Sequence, residues 1–353
     1  MFRKLVVISA ILSFSGQLFI TLPKTSYAIT PTQQIIELQT KIILLKIEIL
    51  KLELAKALEA ERLISVPVRP NSEQINGNLR KSVVNILCQN QGQSPFGSIS
   101  GSGVIIDTRG IILTNAHIGQ YFLIRDYPTA GSIKCTIRTG SPARPAYEAK
   151  LIYLPPAWVQ NNSKAITTRG ATGTGEDDYA MLAITATATA EPLPGSFPAI
   201  SVDENVDILA EDYPVLLASY PGELVGSIII QKSLEMISAI TKIERGFYFE
   251  SNTNQGLDLL DVSGTVVSQA GSSGGAVVSL DSARLIGIIV TSTTAVDTSN
   301  RQLLAITLAH INRSIQKNLG RSLTSFLSQP ISLSLNDFEQ NVAPGERSKL
   351  IQR

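Results

Sequence analysis

The sequence predicts an all-β fold of two six-stranded antiparallel β-barrels, with an N-terminal helical extension and a C-terminal helix. The first observation is composition. The chain has 353 residues, 44% of them hydrophobic, which is enough for one large or two small domains and too apolar for a disordered protein. The second is the pattern from about residue 78, where short β-branched runs alternate with Gly, Pro and Asn. These runs form two sets of about six, which suggests two small barrels.

Charge and the counts of Cys and His limit the possible chemistry. The formal net charge is +1, so the chain lacks the basic field that attracts nucleic acid, and we expect no nucleic-acid partner. Cys88 and Cys135 are too few for a four-thiolate zinc site. Adding His117 and His310, the two histidines, gives a set without the usual close pairing of ligands, so we expect no metal and no cofactor.

Residues 1–28 have the pattern of a secretory signal peptide. Arg3 and Lys4 precede an apolar run over Leu5–Leu22, and the small residues Ser26 and Ala28 mark a cleavage site. We therefore expect an exported protein, periplasmic or extracellular, with no stable membrane span once the leader is removed. The alternative is an uncleaved anchor that tethers the protein to the membrane, because the apolar run of 18 residues is at the short end of a span.

Residues 29–65 are predicted to be helical. Gln33–Ile64 contains no Gly or Pro, and five acids balance five bases, which argues against a membrane span. An apolar residue recurs every seven positions, at Ile36, Ile43, Leu50, Ala57 and Ile64, with Ile47 and Leu54 in companion positions. A coiled-coil homo-oligomer through residues 33–64 is one hypothesis, and a helix packed on the chain's own main domain is the other. Residues 66–77 are expected to be a linker.

The main domain is predicted to span residues 78–320. Its first barrel, about 78–190, has predicted strands at Ser82–Cys88, Gly103–Ile106, Ile111–Thr114, Ile133–Ile137, Tyr147–Tyr153 and Asp178–Ile184. Its second barrel, about 200–307, has them at Val206–Leu209, Val215–Ser219, Ser227–Ile230, Met236–Ile243, Ala276–Ser279 and Leu285–Val290, with short candidates near Phe247–Phe249 and Leu303–Ile306. A C-terminal helix is predicted at about 308–318, followed by a tail, residues 321–353, that offers no second domain.

Three motifs occur in a fixed order beside strand-like runs. Gly101–Ile106 is followed by Gly110–His117, which ends in Thr-Asn-Ala-His; then come Asp178–Leu182 (Asp-Tyr-Ala-Met-Leu) and Gly271–Gly275 (Gly-Ser-Ser-Gly-Gly). In these motifs the sequence resembles the chymotrypsin-like (trypsin-like) serine proteases, closest to the bacterial HtrA/Deg branch, over roughly residues 78–318. Many HtrA proteins carry a PDZ domain, and we expect none after residue 320.

The resemblance implies a catalytic triad. Because a serine hydroxyl is a poor nucleophile at neutral pH, an imidazole must accept its proton during attack, and His117 is expected to do so. Asp178 is expected to orient that imidazole and to stabilise its charged form. The nucleophile is expected to be Ser273, since the Gly-x-Ser-Gly-Gly frame excludes neighbouring Ser272. Taken alone, the glycine-rich run is typical of a flexible loop.

The resemblance also assigns the groups around the nucleophile. The backbone N–H groups of Gly271 and Ser273 are expected to form the oxyanion hole. Val267, six residues before Ser273, stands at the base of the primary specificity pocket, with Ile289 and Val290 as further lining residues. We therefore expect small or medium apolar side chains before the scissile bond.

Other polar residues near the motifs have plainer interpretations. Asp177 is out of phase with the strand alternation and is expected to be a solvated neighbour of Asp178. His310 is expected to be a surface or packing histidine. The segment Pro155–Glu176 is either a functional loop beside the cleft or a plain surface insertion.

Cys88 lies on the first predicted strand and Cys135 on the fourth, which could lie close together when the barrel closes. A disulfide would span 47 residues and contribute about 4 kcal/mol to stability. The alternative is two buried free thiols.

The function predicted from these features is that of a secreted serine endopeptidase acting on proteins or peptides. The alternative is a catalytically inactive, protease-like binding or scaffold protein that oligomerises through its N-terminal helix.

Overall fold

The computed structural model describes residues 30–64, 71–92, 94–163, 166, 174–204, 212–222, 227–249, 256–262, 265–292 and 302–351. The chain divides into two compact units, Met1–Pro67 and Val68–Arg353. The predicted signal peptide, residues 1–28, and the predicted strand Val206–Leu209 lie outside the described residues.

The first unit contains helix α1, Pro31–Ile64, where the sequence predicted one. Ten of its large apolar side chains are exposed: Ile35, Ile36, Leu38, Ile42, Ile43, Leu44, Leu45, Ile47, Ile49 and Leu52. So much exposed apolar surface on one helix is typical of an interaction surface. Within the described ranges, none of the helices combines the length and apolar character needed to cross a membrane.

The predicted linker, residues 66–77, is wrong in its second half. Helix α2 spans Ser72–Ser82. Asn71 caps it, since its side chain accepts a hydrogen bond of 2.9 Å from the Glu73 N–H, and Ile75 and Leu79 are buried one turn apart. Asn71 is a common turn residue, which favours a linker, but the same side chain is also a preferred helix cap.

Six strands close the first barrel, as predicted, and their order is β1-β2-β3-β6-β5-β4. They are β1 (Val83–Asn90), β2 (Ile99–Asp107), β3 (Ile111–Thr114), β4 (Ile133–Thr139), β5 (Arg144–Tyr153) and β6 (Ala180–Thr187). The barrel is filled by buried aliphatic side chains such as Ile86, Ile112 and Leu182. Asp178 lies just before β6, so its carboxyl group is at the barrel's rim.

Two short helices lie in the connections of this barrel. Helix α3, Ala116–Leu123, follows β3, and helix α4, Pro156–Asn162, follows β5. The segment Pro155–Glu176 therefore begins as a helix anchored by buried Trp158, not as a loop throughout.

The predicted disulfide is present. Cys88 of β1 faces Cys135 of β4 in the antiparallel register, and their sulfur atoms are bonded. The bridge therefore joins the strand pair that closes the barrel between its first and fourth strands.

A second, curled sheet has seven strands in the order β8-β7-β11-β12-β13-β10-β9. They are β7 (Pro214–Ser219), β8 (Ile237–Lys242), β9 (Arg245–Phe247), β10 (Leu259–Asp261), β11 (Ala276–Ser279), β12 (Leu285–Ser292) and β13 (Leu303–Thr307). The short strand β10 was not predicted. The predicted strand Ser227–Ile230 is wrong, because Ser227–Lys232 forms helix α5. Its three consecutive Ile favour a strand by propensity alone, which tertiary context overrides here.

The C-terminal helix α6, Leu308–Leu319, matches its prediction. The Thr307 side chain caps its start, and Gly320 ends it in the left-handed conformation.

The tail is more ordered than the sequence suggested. It forms helices α7 (Leu323–Leu327), α8 (Ile331–Asp337) and α9 (Ala343–Ile351), with a π-helical turn at Phe338–Val342. Phe338, Ala343 and Leu350 are buried in the core of the first barrel. Pro330 stands just before α8, where a missing N–H costs nothing, and Pro344 lies where the π-helical turn continues into α9.

Candidate active site

His117 and Asp178 meet because β3 and β6 are paired. Thr114 lies opposite Ala180 in the register, so the residues that follow β3 and precede β6 are neighbours. The Nδ1 atom of His117 is 2.8 Å from Oδ2 of Asp178, and the His117 backbone N–H donates to Oδ1 over 3.0 Å. The Asn115 side-chain amide donates to the Asp178 carbonyl over 2.8 Å. Asp178 is thus held by its backbone and by both carboxylate oxygens.

The electrostatics of this pair favour a charged imidazole. Burial lowers the pKa of His117, but the charge of Asp178 and its hydrogen bond outweigh burial, so the pKa lies above its usual 6.5. The His117 side chain remains 30% exposed, against 12% for Asp178. The open side of the imidazole can therefore reach a substrate while the carboxylate stays shielded.

The Gly271–Gly275 turn precedes β11 and contains half-buried Ser273. Gly271 and Gly274 have φ angles of +94° and +81°, a region that other residues rarely adopt. At Gly274 there is also no room for a side chain, since a Cβ would lie 2.0 Å from the Ser102 carbonyl oxygen. These glycines are therefore required by the conformation of the turn and by its contact with β2.

Ser102 of β2 holds this turn from the other sheet, a role that was not predicted from the sequence. Its N–H donates to the Ser273 carbonyl over 2.7 Å. Its hydroxyl donates to the Gly271 carbonyl and accepts from the Tyr220 N–H, each over 2.9 Å. The Gly-Ser-Gly run around Ser102 belongs to the first of the three motifs, and that is the one signal available for it.

Gly101 brings Ser273 close to the start of α3. A Cβ on Gly101 would lie 3.5 Å from the Ser273 carbonyl oxygen and 2.2 Å from Cδ1 of Ile118, the residue after His117. The Ser273 carbonyl and the residue after His117 therefore both lie against Gly101 of β2.

The predicted oxyanion-hole donors are available. Among the described residues, none accepts a hydrogen bond from the N–H of Gly271 or Ser273. Between them lies buried Ser272, whose hydroxyl donates to the Val267 carbonyl over 2.5 Å and accepts from the Ser219 hydroxyl over 3.0 Å. The side chain of Ser272 is therefore buried and hydrogen-bonded on both sides, whereas Ser273 is half-buried.

The predicted pocket residues are not brought together on one open surface. Val267 and Ile289 are buried in the core of the second sheet. Val290 points to the opposite face of β12, where its Cγ2 would lie 3.0 Å from a Cβ on Gly175. A motif offset gives the position of a residue in the chain, but strand alternation and side-chain packing decide which face it lines.

Two plain interpretations are corrected. Asp177 is not a solvated neighbour, because its Oδ1 accepts a 2.6 Å hydrogen bond from buried Ser314 and lies 3.6 Å from Nε2 of His310. The His310 side chain is 12% exposed, and its Nδ1 is 2.7 Å from Oδ1 of Asp258. It is therefore part of a charged cluster that includes Asp177, the residue next to Asp178.

One family model matches the chain. Residues 101–288, more than half of the chain, match the model described as a trypsin-like peptidase domain. No curated protein matches the sequence. Among solved structures, the chain is similar to the HtrA-type protease AlgW with tripeptide (18% identity, TM-score 0.45, covering 71% of this chain and 65% of that chain). It is also similar to the Rv3671c protease from M. tuberculosis in its active form (18% identity, TM-score 0.41, covering 71% and 88%). The chain spans less than two thirds of the AlgW chain.

Proposed function

The chain belongs to the trypsin-like peptidase family, and on that premise we propose that it is a serine endopeptidase that hydrolyses proteins or peptides through an acyl-enzyme. The observation that carries this proposal is the 2.8 Å contact between His117 Nδ1 and Asp178 Oδ2. It fixes the imidazole so that its Nε2 atom is left to act on the nucleophile.

In the proposed acylation, Ser273 Oγ attacks the scissile carbonyl carbon while His117 Nε2 accepts the hydroxyl proton. The carbonyl oxygen becomes an oxyanion, and the N–H groups of Gly271 and Ser273 each stabilise it by about 3 kcal/mol. The C–N bond then breaks as protonated His117 gives its proton to the leaving amine. In deacylation, water attacks the ester, gives a proton to His117, and Ser273 recovers it as the acid product leaves.

A fluorophosphonate probe tests this proposal directly. We expect the native protein to be labelled and to degrade casein, whereas Ser273→Ala should lose both properties. Ser282→Ala is the matched control, because Ser282 is exposed in the turn between β11 and β12. Equal labelling of Ser273→Ala, or no labelling of the native protein, would contradict the proposal. If the native protein is neither labelled nor able to degrade casein, the result would favour the inactive scaffold that assembles through α1.

Substrate preference is a finer part of the proposal. We expect small or medium apolar side chains before the scissile bond, since Val267, Ile289 and Val290 are all apolar. Because Val267 is fully buried, this preference rests on residue type and not on an observed pocket. A peptide library that showed preferred cleavage after Lys or Arg would overturn it.

Export is proposed as well, to the periplasm or the extracellular space. The bridge between Cys88 and Cys135 supports it, because disulfides persist mainly outside the cytosol. The N-terminal sequence of the secreted protein checks this proposal, and cleavage after Ala28 is the expected result.

A further inference from the structure

A single hydroxyl of α6 contacts the residues on both sides of Asp178. The Ser314 hydroxyl donates to Asp177 Oδ1 over 2.6 Å and accepts from the Tyr179 hydroxyl over 2.9 Å. It also accepts a longer bond of 3.4 Å from the Asn318 side-chain amide. Ser314 is 6% exposed and Tyr179 is fully buried, so these bonds are shielded from water. The two neighbours of Asp178 are thereby fastened to one point on α6.

The backbone beside Asp178 has an unfavourable conformation that contacts from α6 can stabilise. Asp177 has a φ angle of +54°, a left-handed conformation that costs energy for a residue with a side chain. The turn is closed by bonds from the Asp178 N–H to the Gly175 carbonyl (3.2 Å) and from the Tyr179 N–H to the Asp177 carbonyl (2.8 Å). The hydrogen bond from Ser314 to the Asp177 side chain adds a restraint from α6 to this turn.

Charge fixes the direction of these hydrogen bonds. Asp177 faces His310 on α6, and Lys317 acts on it from the same helix. Burial raises the pKa of Asp177, but the His310 imidazole 3.6 Å away, the hydrogen bond from Ser314 and the charge of Lys317 outweigh burial and lower it. Asp177 is therefore an acceptor at neutral pH, so the Ser314 proton goes to Asp177 and its oxygen lone pairs receive Tyr179.

The cluster continues to the second sheet. Arg313 Nη2 donates to Asp258 Oδ1 over 2.6 Å, and His310 Nδ1 lies 2.7 Å from the same oxygen. These contacts and the Phe249 N–H hold the pKa of Asp258 at about 2 against the effect of burial. Asp177 and Asp258 are thus both paired with basic side chains of α6. These contacts keep α6 packed beside Asp177.

We propose that Ser314 is a positioning residue for the triad acid: its hydroxyl fixes Asp177 and Tyr179, and thereby aims the Asp178 carboxylate at His117. This inference rests on the proposed function, in which Asp178 orients the catalytic base. Without the hydroxyl, residues 177–179 are released toward an unstrained backbone, and the contact between Asp178 and His117 loosens.

The test measures the His117 imidazole itself. In a Ser273→Ala background, where no turnover is needed, the imidazole proton resonances are titrated by NMR. The chain has only two histidines, so a His310→Gln variant assigns both signals. The His117 pKa lies above 6.5 because of Asp178. We expect Ser314→Ala to lower the His117 pKa by about 1, which is a tenfold change in proton affinity, because a misaligned carboxylate stabilises the imidazolium less.

The same substitutions in the Ser273 protein give the catalytic readout. We expect Ser314→Ala to lower kcat about tenfold with KM unchanged, and Ser314→Thr, which keeps the hydroxyl, to restore most of it. Gln316→Ala, on the exposed face of α6, is the control and should change neither value. If circular dichroism shows that Ser314→Ala does not fold, Tyr179→Phe replaces it, since it removes one bond to Ser314 and keeps the ring.

The outcomes separate this inference from the proposed function. An unchanged His117 pKa in a folded variant overturns the positioning role, even if activity falls, because a merely structural defect lowers the active fraction without moving a titration. If the His117 pKa is lowered but the protein with Ser273 intact is not labelled by a fluorophosphonate, the positioning role is supported and the proposed protease is overturned.

Discussion

At the scale of single residues, the candidate site depends on backbone contacts as much as on the three side chains that carry the chemistry. Ser102 contacts the carbonyls of Gly271 and Ser273, and it does so from the opposite sheet. Its own carbonyl accepts from the Thr114 hydroxyl over 2.7 Å, three residues before His117. The nucleophile turn and the strand that leads to the base are therefore built on the same residue.

We expect Gly274→Ala to abolish activity while a comparable change elsewhere does nothing. The new methyl group would lie 2.0 Å from the Ser102 carbonyl oxygen, and the φ angle of +81° disfavours any side chain. The turn must therefore move, which displaces Ser273. Gly97→Ala is the control, because a Cβ there meets nothing within 4 Å. Casein turnover and fluorophosphonate labelling measure the effect, and near-native activity of Gly274→Ala would refute this conformation of the turn.

The pH dependence of activity follows from the His117 pKa, which is raised above 6.5. Only the neutral imidazole accepts the Ser273 proton, so kcat/KM should fall as the pH decreases through this raised pKa. The midpoint of the acidic limb is therefore expected above pH 6.5. In Asp178→Asn the raising charge is gone, and the limb should move to lower pH together with a large loss of kcat. A profile from about pH 5 to about pH 9 checks both expectations, and a native midpoint below that of the variant would contradict them.

His117, Asp178 and Ser273 could be proposed from the sequence because their motifs are local. Ser102 and Ser314 could not be recognised as supports, since their partners are 169 and 137 residues away and the contacts exist only in the folded chain. The prediction for Asp177 is wrong for the same reason. Strand alternation predicted that the Asp177 side chain faces solvent, but α6 covers that position.

At the scale of secondary-structure elements, the first barrel was predictable and its surroundings were less so. Short apolar runs predicted all six strands of the barrel, and all six are present. One error fell where local preference and tertiary context disagree, since Ser227–Ile230 is helical despite its β-branched residues. The helices of the tail were not predicted, although Pro330 stands at the start of one of them.

The bridge between β1 and β4 gives an element-scale prediction. Reduction should lower the free energy of unfolding by about 4 kcal/mol, because the open chain regains the entropy of a loop of 47 residues. Urea denaturation of the oxidised and the reduced native protein isolates the bridge without introducing a cavity. Cys88→Ala combined with Cys135→Ala should be as unstable as the reduced form or more so. Equal midpoints for oxidised and reduced protein would show that the bridge does not form.

At the scale of the whole molecule, the exposed apolar side chains of α1 lead us to expect a homo-oligomer. Its exposed apolar side chains recur every seven residues at Ile36 and Ile43, the spacing of a coiled coil. We expect the mature protein to sediment as an oligomer and a version beginning at Pro67 to sediment as a smaller species. In the full-length mature chain, Ile36→Asn with Ile43→Asn should also reduce the assembly, whereas Lys41→Gln should not. If the mature protein and the version beginning at Pro67 both sediment as monomers, α1 is an intramolecular packing element.

The C-terminal helices have a consequence for the order of synthesis. Phe338, Ala343 and Leu350 complete the core of a barrel whose own strands end at Thr187, and Arg347 donates to the Leu123 carbonyl at the end of the helix that begins beside His117. The ribosome makes the barrel strands first and these helices after the entire second sheet. The first barrel therefore cannot finish packing while the chain is still being made, and its apolar flank stays uncovered until residue 350 has emerged.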